Sequence, residues 1–127
     1  MAETLKDIVQ RAMTDLTEHD GEYDAIVAAG DMHGLALGAA LAAATGKPYM
    51  MVCRDPHTFT VSLINTFGDC KPRDQRYLYV DDWFTFGKTK EEVFAYLDSC
   101  GEPAPIVATY EVNTRTWKET GRVVNPA

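Results

Sequence analysis

Hydrophobic and polar positions along the chain fall into short blocks whose period changes from one block to the next. In residues 4–18, Leu5, Ile8, Val9, Ala12, Met13 and Leu16 recur at helical spacing, which predicts an amphipathic helix. Thr4 with Asp7 offers a capping box at its start, and Gly21 is placed to end the segment. Ala25-Ile26-Val27-Ala28-Ala29 is apolar throughout, as a strand buried on both faces would be. Gly30 to Gly34 then turns the chain, and 35–45 reads as an Ala-rich helix able to lie close against a sheet. Gly46-Lys47-Pro48 breaks it, and Tyr49 to Cys53 forms a second strand ending at Arg54.

The second half repeats the scheme. Residues 57–67 alternate loosely, with Phe59, Val61 and Leu63 against Thr58, Thr60 and Ser62, which fits a hairpin arm or a mobile loop. Residues 69–75 are polar, contain Pro72 and read as a connector. Tyr77 to Val80 is a buried strand that ends in Asp81-Asp82, and a helical stretch from Lys90 to Leu97 follows a short loop. Gly101 to Pro105 breaks the chain, Ile106 to Val112 is a last strand, and a loose tail containing Trp117 closes it. Strand and helix alternate, so the expected architecture is a single α/β domain with a parallel sheet flanked by helices on both faces. Its parts are an N-terminal helix (1–20), a core (24–112) and a C-terminal tail (113–127). Ligands of such sheets bind beyond the carboxyl ends of the strands. The loops Gly30-Asp31-Met32-His33-Gly34, Arg54-Asp55 and Asp81-Asp82 are therefore expected on one rim.

The chemistry concentrates in Tyr77-Leu78-Tyr79-Val80-Asp81-Asp82-Trp83-Phe84-Thr85-Phe86-Gly87-Lys88-Thr89. A strand–loop–helix junction aims free backbone N–H groups and the positive end of a helix dipole at one spot, which suits a phosphate. Ionised Asp81 and Asp82 only accept hydrogen bonds, so sugar hydroxyls are their natural partners. The string resembles the phosphoribosyl pyrophosphate-binding motif of type I phosphoribosyltransferases. That resemblance implies a phosphoribosyltransferase-like (Rossmann-like) fold with a reduced hood. It also implies transfer of a ribosyl 5-phosphate to a nitrogenous base with release of pyrophosphate, as in nucleotide salvage.

By resemblance, Asp81 and Asp82 hold the ribose and are the catalytic pair, while Thr85, Phe86, Gly87, Lys88 and Thr89 hold the 5′-phosphate. Gly30, Asp31, Met32, His33 and Gly34 form the pyrophosphate loop, and Arg54 is the basic residue beside it. Mg²⁺ is the implied cofactor, reached by Asp81 and Asp82 through ribose or water. Phe86 stands where the family carries a small hydroxyl residue, and Lys88 where a small residue is common; Lys88 could add a charge-assisted contact. Residues 55–75 fall where the family has a mobile catalytic loop, in which Lys71 and Arg73 could steady the leaving pyrophosphate. His33 reads equally as a turn residue, Asp55 as a surface partner of Arg54, and Trp117 either as a base-stacking ring or as the edge of the core.

Charge and cysteines narrow the class further. Twelve basic residues against 19 acidic ones leave a net charge of −7, with no basic stripe for a nucleic-acid backbone. Cys53, Cys70 and Cys100 are odd in number and lack metal-ligand spacing, which points to a reducing cytoplasm. No apolar run approaches membrane-spanning length, and Glu3, Asp7 and Asp15 interrupt any signal-peptide pattern. The expected partners are phosphoribosyl pyrophosphate and a base-like acceptor, with no nucleic acid and no membrane; a homodimer is compatible with this.

Three other readings compete. Phe86-Gly87-Lys88-Thr89 superficially matches a nucleotide P-loop, but Asp82 occupies the position of that motif's first glycine. A receiver domain would carry its acidic pair after the first strand. A module of the same fold that binds a nucleotide or phosphoribosyl group without catalysis remains the main alternative.

Overall fold

The computed structural model describes residues 3–30, 32–54, 61–71, 74–81, 94–95 and 105–121. Helix α1 (Leu5–Thr17) opens on the expected capping box: the Asp7 backbone N–H donates to Thr4 Oγ1 over 3.2 Å, and the Thr4 N–H donates to Asp7 Oδ2 over 3.1 Å. Those bonds hold the Asp7 carboxyl below its ordinary range. Strand β1 (Ala25–Gly30) follows, then α2 (Met32–Thr45), β2 (Tyr49–Arg54), β3 (Val61–Phe67), β4 (Tyr77–Asp81), β5 (Ile106–Glu111) and β6 (Thr116–Glu119).

One six-stranded sheet runs in the order β3-β2-β1-β4-β5-β6. Its four central strands are parallel, as the continuous apolar runs predict. Both edge strands are antiparallel to their neighbours, so the sheet is mixed. Of the two readings of 57–67, the hairpin arm holds for 61–67. Between Met51, which pairs with Asn65, and Val52, which pairs with Leu63, the register shifts and leaves Ile64 as a one-residue bulge in this edge strand. The tail corrects the sequence reading: residues 116–119 are a strand, reached through a turn at 112–115 in which Arg115 takes a φ of 57°. Three of the four residues of this short edge strand are exposed, so its period is too weak to read.

Helices α1 and α2 cover one face of the sheet. Ala12, Leu16 and Leu41 pack there on Ile26, Ala28, Leu78, Val80 and Tyr110. On the other face Ala25, Val27, Val52, Tyr77 and Tyr79 form a second core, with Cys70 and Phe94 packed against it. Phe94 and Ala95 are helical, inside the predicted stretch from Lys90 to Leu97, whose other residues lie outside the described set. Leu5, counted in the apolar face of α1, is 54% exposed. Among the described residues, no helix is long and apolar enough to cross a membrane.

Two close approaches set the site. Helix α2 sits near enough to β1 and β2 that a methyl group on Gly38 would lie 2.6 Å from Ala28 Cβ and 2.8 Å from the Tyr49 hydroxyl oxygen. That hydroxyl donates to the Leu35 carbonyl over 2.6 Å, tying the first turns of α2 to β2. At the opposite end of the sheet Asp24 and Arg76 clamp β1 to β4. Asp24 accepts from Arg76 Nε and from the Arg76 backbone N–H, and its other oxygen accepts from Arg76 Nη2 at 3.0 Å.

Candidate functional site

The direction of winding reverses between β1 and β4. From β1 the chain passes through α2 to β2 on one side, and it returns to place β4 on the other. Diverging loops at such a switch point leave a crevice beyond the carboxyl ends of the two strands. Gly30 ends β1 and Asp81 ends β4, so both border that crevice. The register pairs Ala28 with Val80, which sets Asp81 one step further along, beside the exit of β1. On the far side of β1, Gly30 pairs with Cys53 and Arg54 ends β2 one residue later. The backbones of Gly30, Arg54 and Asp81 therefore share one rim, as the strand-end argument expects.

Met32, His33 and Gly34 form the first turn of α2, which carries the positive end of the helix. Gly34 is buried. A methyl group on it would lie 3.1 Å from the Ala29 carbonyl oxygen and 3.4 Å from Asp81 Oδ1. The Asp81 carboxylate thus rests against the start of α2, where a negative charge is stabilised by roughly 0.3–1 kcal/mol. Asp81 is half-buried, and its own carbonyl accepts from the Val112 N–H over 2.9 Å, fixing the end of β4 against β5. Asp31, Asp82, Thr85, Phe86, Gly87, Lys88 and Thr89 lie outside the described residues, as do Asp55 and Arg73.

Glu111 is a rim position that the sequence reading passed over. It pairs with Asp81 across β4 and β5 and is half-buried, so two acidic residues stand side by side along the rim. The signal was present, since the apolar run from Ile106 meets its acid at Glu111 as the run from Tyr77 does at Asp81. Val112, buried just beyond it, disguised the end of the strand. Among the described residues, no group of three or more His, Cys, Asp or Glu gathers as a metal cage. The donor set of Asp81 beside the helix start fits an ion that arrives on its ligand's phosphates and keeps several waters, as Mg²⁺ does.

Trp117 belongs to the packing. Its ring stacks on His19 at 3.8 Å and 2°, with Tyr23 tilted against it at 6.1 Å, so both neighbours come from the segment joining α1 to β1. His19 in turn contacts Glu22 through Nδ1 at 2.6 Å. Of the alternatives for Trp117, the core edge is the one that holds. Lys71 pairs with Asp69 at 3.3 Å on an exposed stretch.

A six-stranded α/β sheet with this order, a carboxylate at its switch point and a helix start beside it has the fold of the type I phosphoribosyltransferases. Solved structures with that fold include orotate phosphoribosyltransferase from Francisella tularensis, with a TM-score of 0.61 at 18% identity, covering 84% of this chain and 50% of that one. Purine phosphoribosyltransferase from Pyrococcus horikoshii matches at 0.57 and 24% identity, over 82% of this chain and 70% of that one. Adenine phosphoribosyltransferase from Trypanosoma brucei, solved in complex with AMP, pyrophosphate and ribose-5-phosphate, matches at 0.62 and 15% identity, over 85% and 52%. The chain spans about half the length of the first and last of these. No protein-family model and no curated protein sequence matches it. At such identities the likeness is one of fold.

Proposed function

We propose that this protein binds phosphoribosyl pyrophosphate in the crevice between β1 and β4 and transfers its ribosyl 5-phosphate to a nitrogen of a base, releasing pyrophosphate. The observation that carries this reading is the contact of the Asp81 carboxylate with the first turn of α2 at the switch point. A hydroxyl-accepting group and an anion-attracting helix start side by side are what a ribose bearing phosphates requires.

In this reading Asp81, with Asp82, accepts hydrogen bonds from the ribose hydroxyls and orients the ring. The bond from C1′ to the pyrophosphate oxygen breaks, the bond from C1′ to the acceptor nitrogen forms, and positive charge develops on the ring between the two events. The nearby carboxylates favour that charge. The N–H groups of Gly30 to Gly34 and the side chain of Arg54 receive the departing pyrophosphate, and Thr85 to Thr89 hold the 5′-phosphate. Mg²⁺ bound to the pyrophosphate would neutralise its charge as it leaves.

The test is to incubate the protein with phosphoribosyl pyrophosphate, Mg²⁺ and a panel of purine and pyrimidine bases, and to follow pyrophosphate. Release that depends on one base class supports transfer. Trp83, Phe84 and Phe86, bulky residues in the phosphate-loop sequence, favour a second reading, a binding module that does not catalyse. Saturable binding with no release for any base would select it.

A further inference from the structure

We infer that Gly34 is a positioning residue for Asp81: by lacking a side chain it seats the ribose-binding carboxylate against the first turn of α2, so that the two halves of the pocket bind as one unit. The inference rests on the proposed phosphoribosyl site and concerns how that site is held together. Gly34 lies within the regular helix α2, so alanine would be compatible with its backbone and would favour the helix. Conformational freedom therefore does not explain a glycine there. The space around it does. A Cβ would stand 3.1 Å from the Ala29 carbonyl oxygen, closer than such contacts normally come, and 3.4 Å from Asp81 Oδ1. The Ala29 carbonyl belongs to a central strand, with Ala29 paired to Val52 of β2, so it yields less readily than the end of a helix. The first turn of α2 would have to lift away from the rim instead, and the Asp81 carboxylate would lose its seat. Gly38, one turn later, is also crowded, but by Ala28 and Tyr49 beneath the helix, so its role is to let α2 lie close and not to place a functional group.

This coupling makes a prediction that simple packing does not. Ribose 5-phosphate binding would be measured by calorimetry for the wild type, Gly34→Ala, Asp81→Asn and the double variant, with thermal unfolding recorded for each. Gly34→Ala should weaken binding on the order of tenfold, the scale of one relaxed charge-assisted contact. In the Asp81→Asn background it should cost nothing further, because the charged acceptor it positions is already gone. Asp81→Glu offers a route that leaves Gly34 alone. The extra methylene cannot enter the seat, so its affinity should fall by a similar factor although the charge is retained. Additive losses from Gly34→Ala and Asp81→Asn, unchanged binding in Gly34→Ala, or wild-type affinity in Asp81→Glu would each overturn the inference while leaving the ribose site standing. A wild type that does not bind ribose 5-phosphate would remove the proposed function, and this inference with it.

Discussion

Single atoms decide much of this site. Asp81→Asn keeps the shape of the side chain but removes its charge and turns one acceptor oxygen into a donor. It should cost about 1.5–3 kcal/mol of ribose 5-phosphate affinity, the range for a hydrogen bond to a charged group, with an unchanged circular dichroism spectrum. Gly38→Ala is the opposite kind of change, far from ligand but impossible to fit without movement. With Ala28 Cβ 2.6 Å and the Tyr49 oxygen 2.8 Å from the new methyl, overpacking should lower stability by about 1–3 kcal/mol in urea unfolding. The sequence made Asp81 conspicuous because an acid pair ends an apolar run. Glu111 ends a run too, yet a buried valine follows it and hides the boundary. The role of Gly34 was not legible at all, since crowding by the Ala29 carbonyl and contact with Asp81 arise only once β1, β4 and α2 are assembled.

At the level of elements, buried strands and the amphipathic α1 could be read because burial imposes a period on them. β6 could not, because a short edge strand exposed at three of its four positions carries no such imprint. It is held instead by its turn. Asp15 of α1 accepts from Arg115 Nε at 2.9 Å, from Arg115 Nη2 at 2.6 Å and from the Tyr110 hydroxyl at 2.5 Å. The Arg115 hydrogen bonds are the main reason the Asp15 carboxyl lies below its ordinary range, against the effect of partial burial. Asp24 is lowered in the same way by Arg76. A carboxyl depressed in the folded state contributes stability that is complete above its unfolded pKa, near 3.9, and is lost as pH falls through the folded value. Urea midpoints measured from pH 7 downwards should therefore fall below about pH 4, and the acid limb should be shallower in Asp15→Asn and in Asp24→Asn. An acid limb identical in the wild type and both variants would show that these clusters contribute nothing to folding.

Across the whole molecule, the strand order organises everything else. Alternating strands and helices announced an α/β sheet with ligands at its carboxyl rim. The order β3-β2-β1-β4-β5-β6 is a long-range property, and no local pattern states which strand lies beside β1. That neighbour turned out to be β4, which carries Asp81 to a point where the winding reverses. The Asp24–Arg76 clamp at the far end of the same two strands keeps that pairing in register. Burial raises the phenols of Tyr49, Tyr77 and Tyr110, and that of Tyr23 to about 12, so the fold should also lose stability as pH climbs past about 10, where the unfolded tyrosines ionise first. A ligand that holds the rim together should in turn stabilise the fold. Phosphoribosyl pyrophosphate with Mg²⁺ at a hundred times its dissociation constant should add about 2.7 kcal/mol, visible as a rise in the unfolding midpoint.

The most direct measurement is a crystal structure of the protein soaked with ribose 5-phosphate. Density is expected in the crevice between the ends of β1 and β4, with the sugar hydroxyls at Asp81. Density at another surface, or a crevice filled by the chain's own Phe86 ring, would contradict it.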